Sequence, residues 1–483
     1  MAEHSLKEKT AKGLFWGGIS NGIQQMLNLL FGIFLARLLT PADYGMVGML
    51  TIFTTIAGTL QESGFTVALA NKKNISHQDY NAVFWFSVLT GLSLYLILFL
   101  SAPLIAQYYR QPDLIPLARF VFLGFLISST ATAHSAYLFR NLMVKQKAIA
   151  QLPALLLSGT TGIIMALHNM SYWGIATQSL VYIATINLSF WYFSPWRPTF
   201  QLNFRPLKEM FSFSSKILIT NIFLQINNNI FSAIIGRLFA PKEVGFYTQA
   251  NKWNTMGSSF ISGMINSVAQ PVLSQISEDK DRQQKVFRKM LRFTSYLSFP
   301  AMFGLALIAP EFIQLTIQDK WMSCVPILQI LCLWGAFMPI TTLCSNLIIS
   351  KGKSDIYMWN TIIIGAIQII VILIAYPWGI YMMISVYSVL NILWLFVWYY
   401  FIRREIGLSL YHAFKDILPF AGIAGLVMIA TYFLTASITS SVLTLCSKLI
   451  LASVGYLGIM KVAKSEIQKE ILRYLFNKKV SAK

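Results

Sequence analysis

The sequence predicts an all-α polytopic membrane protein with about fourteen transmembrane helices. Three observations predict it: overall apolarity, long uninterrupted apolar segments, and basic residues that alternate between successive connections. The chain has 483 residues, 56% hydrophobic and 12% charged, with a mean hydropathy of +0.59. An ordinary soluble domain carries roughly 25% charged residues, so this composition excludes a soluble enzyme and a disordered tail protein. A spanning helix needs about 20 apolar residues, whereas barrel strands alternate over about ten. The segments here are continuous, which excludes a β-barrel.

In chain order the apolar segments are Gly13–Ala36, Tyr44–Leu69, Asn81–Ala102, Leu117–Leu138, Ile149–Leu167 and Tyr172–Phe193. Then come Phe213–Leu238, Val244–Val268, Phe293–Ile313, Val325–Ile349, Ile356–Tyr376 and Gly379–Phe401, and finally Ile417–Leu434 and Val442–Met460. Turn-forming residues punctuate them, as at Gln111-Pro112-Asp113, Ser194-Pro195-Trp196-Arg197-Pro198 and Tyr376-Pro377-Trp378-Gly379. Met1–Lys12 is polar and basic, and the apolar segment after it is too long, and too rich in Asn and Gln, for a cleaved signal peptide. The tail 463–483 places Ile467, Ile471 and Leu475 on one helical face with Lys464, Lys469 and Lys478 around the other, the pattern of an interfacial amphipathic helix.

The charge of +20, from 38 Lys+Arg against 18 Asp+Glu, has the sign of a nucleic-acid binder. Its distribution says otherwise. The N-terminus, alternate connections and the C-terminus hold 30 of the 38 basic residues, the intervening connections six, and two lie within helices (Lys252, Lys448). Lys and Arg are retained on the cytoplasmic side, so both termini are expected there and no nucleic acid is implied. The four cysteines (Cys324, Cys332, Cys344, Cys446) show no CxxC spacing, so neither a disulfide nor a metal site is expected.

The chain repeats itself at an offset of 200. Residues 19–45 and 219–245 share Ile19/Ile219, Asn21/Asn221, Gln25/Gln225, Asn28/Asn228, Phe31/Phe231, Arg37/Arg237, Leu38/Leu238, Pro41/Pro241 and Gly45/Gly245. The first span thus corresponds to the seventh, and the even number between them gives both halves one orientation. Parallel repeats of six helices are a transporter architecture. The expected organisation is 1–205 and 206–404 as six-helix lobes, 405–462 as two extra helices, and 463–483 as the tail. Pro41 with Asp43, and Pro241 with Glu243, read as helix starts with proline in the first turn and a carboxylate near the N-terminus.

Asn21, Gln25 and Asn28 lie at i, i+4 and i+7, on one side of a helix, and Asn221, Gln225 and Asn228 repeat that row. Amides cannot face lipid cheaply, so the rows meet other helices or water. Interhelical bonding is one reading; a polar cavity shared by the two halves is the other. Lys252, with Asn251 and Asn254 beside it, is a candidate for holding an anionic group, or else a snorkelling or paired lysine. Glu62 is a candidate for coupling to a proton or cation, or the partner of a base. His134 reads as a hydrogen-bonded packing residue. Arg140 and Lys216 are candidates for a cytoplasmic mouth, or ordinary positive-inside residues.

Several segments resemble a known family. Gly13-Leu14-Phe15-Trp16, the run Arg37-Leu38-Leu39-Thr40-Pro41-Ala42-Asp43-Tyr44-Gly45, and Glu62-Ser63-Gly64-Phe65 are similar to the polysaccharide-transporter branch of the multidrug/oligosaccharidyl-lipid/polysaccharide exporter superfamily. Tyr80-Asn81-Ala82-Val83-Phe84-Trp85 and Ala102-Pro103-Leu104-Ile105-Ala106 extend the similarity, which is nearest to Wzx-type flippases of the colanic-acid and teichuronic-acid exporter kind. The resemblance implies two lobes around a central cavity in the bacterial inner membrane, with helices thirteen and fourteen at the side. It implies as substrate an undecaprenyl-pyrophosphate-linked oligosaccharide unit, and as partners membrane lipids and the polysaccharide polymerase and chain-length machinery. No cofactor and no enzymatic activity are implied. A lipid II flippase and a cation-coupled multidrug antiporter of the same superfamily remain alternatives, as does a membrane glycan polymerase or ligase, which would need paired acids or a metal site.

Overall fold

In the computed structural model the described residues are 22–62, 69, 75–141 and 143–470, with the side chains of 206, 208–217 and 220 excepted. No strand occurs among them. The helices are α1 (Gly22–Leu38), α2 (Pro41–Glu62), α3 (His77–Tyr109), α4 (Leu114–Ser129), α5 (Thr132–Arg140), α6 (Val144–Leu167), α7 (Trp173–Phe193) and α8 (Arg205–Leu238). They continue as α9 (Pro241–Gln275), α10 (Lys280–Ile317), α11 (Cys324–Gly335), α12 (Met338–Ser350), α13 (Ser354–Ala375), α14 (Ile380–Leu393), α15 (Leu395–Ile406), α16 (Leu410–Thr435) and α17 (Ser441–Val462). Eight helical stretches among the described residues are long and apolar enough to cross a membrane, and the bent pair α4–α5 makes nine. Helices also stand at the remaining predicted spans, where amides and hydroxyls dilute the apolar run.

The chain divides into two compact units, residues 1–245 and 246–483. In the first, α6 and α7 pair as an antiparallel hairpin and α3 pairs with α4, while α8 packs on α2 and α3. In the second, α10 is the central helix, packed by α11, α16 and α17. At 38 residues it is about 57 Å long at ~1.5 Å per residue, longer than a hydrocarbon core of about 30 Å. Its N-terminal turns carry Arg288, whose guanidinium donates to both Asp416 carboxylate oxygens at 2.6 and 3.1 Å. Arg292 to Glu466 (3.3 Å) and Lys289 to Glu470 (2.8 Å) tie the start of the tail to the same turns. Ile467 is buried. The tail beyond 470 lies outside the described residues.

The span predicted over Leu117–Leu138 is broken, α4 and α5 meeting at 47°. Neither glycine nor proline marks the break. Ser129 and Thr130 donate their hydroxyls to the carbonyls of Leu126 (2.8 Å) and Ile127 (3.0 Å), competing with the helix ladder. The freed carbonyls are taken up by α7. Trp191 Nε1 donates to Thr130 O at 3.0 Å, and the Asn187 amide donates to Ile127 O and to Thr130 Oγ1. Unpaired backbone groups at membrane depth are tolerated only when neighbouring helices satisfy them. Asn187→Leu removes one donor from Ile127 O, which keeps Thr130 Oγ1 as a partner, and is therefore expected to lower stability by about 1 kcal/mol, the net worth of a buried hydrogen bond. Thermal unfolding in detergent measures it, and an unchanged midpoint contradicts it.

After α7 the connection to α8 is strapped to α3. Asn81 Nδ2 donates to Gln201 O (2.7 Å), Thr199 N donates to Asn81 Oδ1 (2.8 Å), and Trp85 Nε1 donates to Thr199 O (2.8 Å). Beside this strap His134 sits in an aromatic cage, its ring 4.3 Å from Trp191 and 5.2 Å from Trp196. It is fully buried, but neither ring nitrogen has a hydrogen-bond partner among the described residues. His134 thus packs as expected but is not hydrogen-bonded, because its neighbours present ring carbons.

Candidate functional site

The first unit holds both amide rows. On α1, Gln25 and Asn28 are exposed, while Gln24 turns aside and donates to Gln151 Oε1 at 2.5 Å. Asn21 lies outside the described residues. On α8, Asn221 and Asn228 are exposed and Gln225 is half-buried. Asn229 Nδ2 donates to the Gln225 carbonyl at 2.9 Å and to Thr55 Oγ1 at 3.3 Å, joining α8 to α2. The side chains of Gln25, Asn28, Asn221, Gln225 and Asn228 make no hydrogen bond among the described residues.

A cavity of about 550 Å³ opens between α2, α4, α5 and α7. Thr51, Thr54, Gln61 and Glu62 line one side, Ser128, Thr132 and Ser135 another, with Phe125 and Phe190 among the apolar walls. The helix break places Ser128 and Thr132 on either side of the bend. Donor protons here are largely committed: Gln61 Nε2 to Phe125 O (3.0 Å), Ser128 Oγ to Gln61 Oε1 (3.0 Å), and Thr54 Oγ1 to Thr51 O (3.0 Å). The wall is mostly apolar, its polar part made largely of side-chain oxygens, with the exposed Glu62 at one end and Lys147 as its electrostatic neighbour. No Lys or Arg among the described residues lines it. Arg140 donates from Nη1 to the Leu69 carbonyl at 2.8 Å. The Lys216 side chain lies outside the described residues.

In the second unit Lys252 is half-buried on α9 and forms no ion pair or hydrogen bond among the described residues. It stands eleven residues past Pro241, about 16 Å along the helix at ~1.5 Å per residue. Gln249, at i−3, shares its side of the helix, and Trp253 follows Lys252 on the adjacent face. Both Gln249 side-chain polar atoms, Trp253 Nε1 and Asn254 Oδ1 are buried with no partner among the described residues. Buried polar groups are normally satisfied, so this turn of α9 carries an unusual concentration of buried polar atoms.

A second cavity of about 550 Å³, mostly apolar, lies between α10, α16 and α17 and is lined by Tyr296, Pro300, Gly304, Met428, Lys448 and Tyr456. At its edge is an ion pair absent from the sequence expectations. Lys448 Nζ lies 2.7 Å from Glu311 Oε1 and donates to Leu307 O at 3.1 Å, with the two side chains 5% and 14% exposed. Opposite charges inside two apolar spans, Glu311 within 293–313 and Lys448 within 442–460, were the available signal.

Together these features define a polytopic membrane protein whose polar groups are concentrated inside its helix bundles. The chain belongs to the polysaccharide biosynthesis protein family, which it matches over residues 34–326. It is 29% identical over 357 residues to an uncharacterized membrane protein in the cps region of Klebsiella pneumoniae, covering 73% of each chain. It is 25% identical over 358 residues to the lipopolysaccharide biosynthesis protein WzxC of Escherichia coli, covering 73% of this chain and 72% of that one. The teichuronic acid biosynthesis protein TuaB of Bacillus subtilis is 22% identical over 396 residues, covering 81% and 80%. Among solved structures, the lipid II flippase MurJ in an inward closed conformation superposes with a TM-score of 0.74 at 14% identity, covering 92% of this chain and 99% of that one. An inward-facing multidrug resistance MATE family transporter of the MOP superfamily gives 0.64 at 16% identity, covering 80% and 94%. The fold is that of these transporters, as the repeat and the family resemblance implied.

Proposed function

We propose that this protein is a flippase of the bacterial inner membrane, moving an undecaprenyl-pyrophosphate-linked oligosaccharide unit across the bilayer by alternating access to supply polysaccharide assembly. The observation that carries this reading is Lys252, an ammonium inside a span with no counter-ion among the described residues. A buried charge is normally paired, and a diphosphate is the partner that such a lipid carrier brings. Gln249, Trp253 and Asn254 add hydrogen-bonding atoms on the same turn or beside it. Membership of a polysaccharide biosynthesis family and the similarity to WzxC and TuaB favour a glycan cargo over drugs or lipid II. An antiporter needs free intramembrane carboxylates; here Glu311 is engaged by Lys448 and Glu62 has Lys147 as neighbour. Glu62 and the cavity it lines are the proposed coupling region, and Arg140 and Lys216 the proposed mouth. The polymerase and chain-length machinery are the proposed recipients of the product.

Reconstitution tests the function. Proteoliposomes given an undecaprenyl-diphosphate oligosaccharide on one face are expected to present it on the other, where a soluble glycosidase cleaves it. Cleavage no faster than in protein-free vesicles would sink the proposal.

The amide rows are proposed to line the water-filled path. Single cysteines at Gln25, Asn221 and Gln225 are expected to react with a hydrophilic maleimide in at least one state of the protein, since none of the three native side chains is bonded among the described residues. Complete protection of all three would assign the rows to helix packing.

A further inference from the structure

The repeat at offset 200 ends in two helix starts, Pro41–Gly45 on α2 and Pro241–Gly245 on α9. In the first unit these segments lie directly against each other. A Cβ added to Gly45 would fall inside the Pro241 carbonyl, and one added to Gly245 would fall inside the Pro41 carbonyl. In both cases the opposing proline Cα would be 3.1 Å away. This reciprocity is what a two-fold relation between the repeats produces: residue i meets j+200, and j meets i+200. Glycine is demanded by the approach of backbone to backbone, not by backbone conformation, since neither residue has a positive φ.

The surroundings hold the two starts rigidly. Thr40 caps α2 with its hydroxyl, while Asp43 accepts from Thr40 N at 2.8 Å and from Thr40 Oγ1 at 2.6 Å. Ser171, at the start of the α7 arm, donates to the other Asp43 oxygen. Arg237 donates to the Tyr108 carbonyl at 2.5 Å, and a Cβ on Gly236 would meet the Tyr109 ring at 2.8 Å. Two helix N-termini placed side by side present like partial charges, and Asp43 and Glu243 in the first turns offset them. Each start is therefore held in place, the first by its Thr40–Asp43 cap and Ser171, the second through the end of α8 on α3, and where the starts themselves meet the contact is backbone to backbone. The Arg237–Tyr108 bond and the packing of Gly236 on Tyr109 and Met49 flank that contact, so parting the starts releases these contacts as well.

We propose that Pro41–Gly45 and Pro241–Gly245 form a symmetric backbone latch on the predicted periplasmic side, closed in this structure and separated once in each transport cycle. The proposal rests on the alternating-access reading, but its test does not depend on the cargo. A variant with serine at the four native cysteines and a single cysteine at Asn228 is expressed in spheroplasts. A membrane-impermeant maleimide is then added outside. Gly45→Val and Gly245→Val each force the starts apart and are expected to raise the labelling rate several-fold. Gly263→Val, at a glycine with nothing within 4 Å of an added Cβ, is expected to leave it unchanged. If a valine variant does not accumulate, the alanine variant at the same site puts a Cβ on the same carbonyl and is read in its place. Faster labelling of both latch variants supports the latch, even if no glycan transport is detected in the wild type, in which case only the transport reading falls. Membrane-inserted Gly45 and Gly245 variants that label at the wild-type rate overturn the latch.

Discussion

Lys252→Ala is expected to abolish or severely reduce glycan export while the protein still reaches the membrane at its normal level. The two effects of the substitution have opposite signs. A hydrogen bond to a charged group contributes about 1.5–3 kcal/mol, and each 1.4 kcal/mol is about a tenfold change in affinity. Losing the ammonium should therefore weaken binding of a diphosphate by roughly ten- to hundredfold. The free protein, relieved of a half-buried charge that has no counter-ion among the described residues, should unfold at the same temperature or higher. Lys252→Arg, which keeps the charge, should retain part of the export. Polymer output in a deletion strain gives the first quantity, and thermal unfolding of the purified protein the second. Normal export by the alanine variant would remove Lys252 from the substrate path, and lower stability would make it a structural residue.

Lys448→Met should cost about 3–5 kcal/mol of stability, because it strands the Glu311 carboxylate in an apolar setting. Glu311→Leu should cost a similar amount by stranding the lysine. The double variant should recover most of the loss, since apolar side chains of similar volume replace a buried pair at little net cost. The coupling energy from that cycle, read from unfolding in detergent, separates a paired interaction from two independent packing defects. Additive losses would mean that the two groups do not act together. The pair joins α10 to α17, residues 137 apart in sequence, so its loss should loosen the C-terminal helices before the rest of the second unit.

Most of the fold was legible because hydropathy and basic-residue placement are one-dimensional signals. Span ends could be read from Pro112, Pro195 and Pro377 because proline and its neighbours punctuate helices locally. The break after Ser129 was not legible. Ser128-Ser129-Thr130 is tolerated within a helix, and what stabilises the bend is Asn187 and Trp191, about sixty residues later. The Glu311–Lys448 pair was missed for the same reason: each residue was visible, but their proximity was not. The repeat exposed the candidate amides, because identical positions in two halves outweigh any single polar residue in a span. That the same repeat would return on itself at Gly45 and Gly245 required coordinates.

The strap after α7 has a mechanical corollary. Gln201 is held to α3 through Asn81, and α8 begins at Arg205. Between them Asn203 is itself engaged, its N donating to Gln201 O at 3.1 Å and its Oδ1 accepting from Arg205 N at 3.1 Å. The four steps from Gln201 to Arg205 reach roughly 14 Å at full stretch, so the connection from the strap to α8 is short. In the proposed transport cycle, a displacement of α8 from α3 larger than that reach would have to break the Asn81 bonds, so this asparagine would act as a mechanical stop.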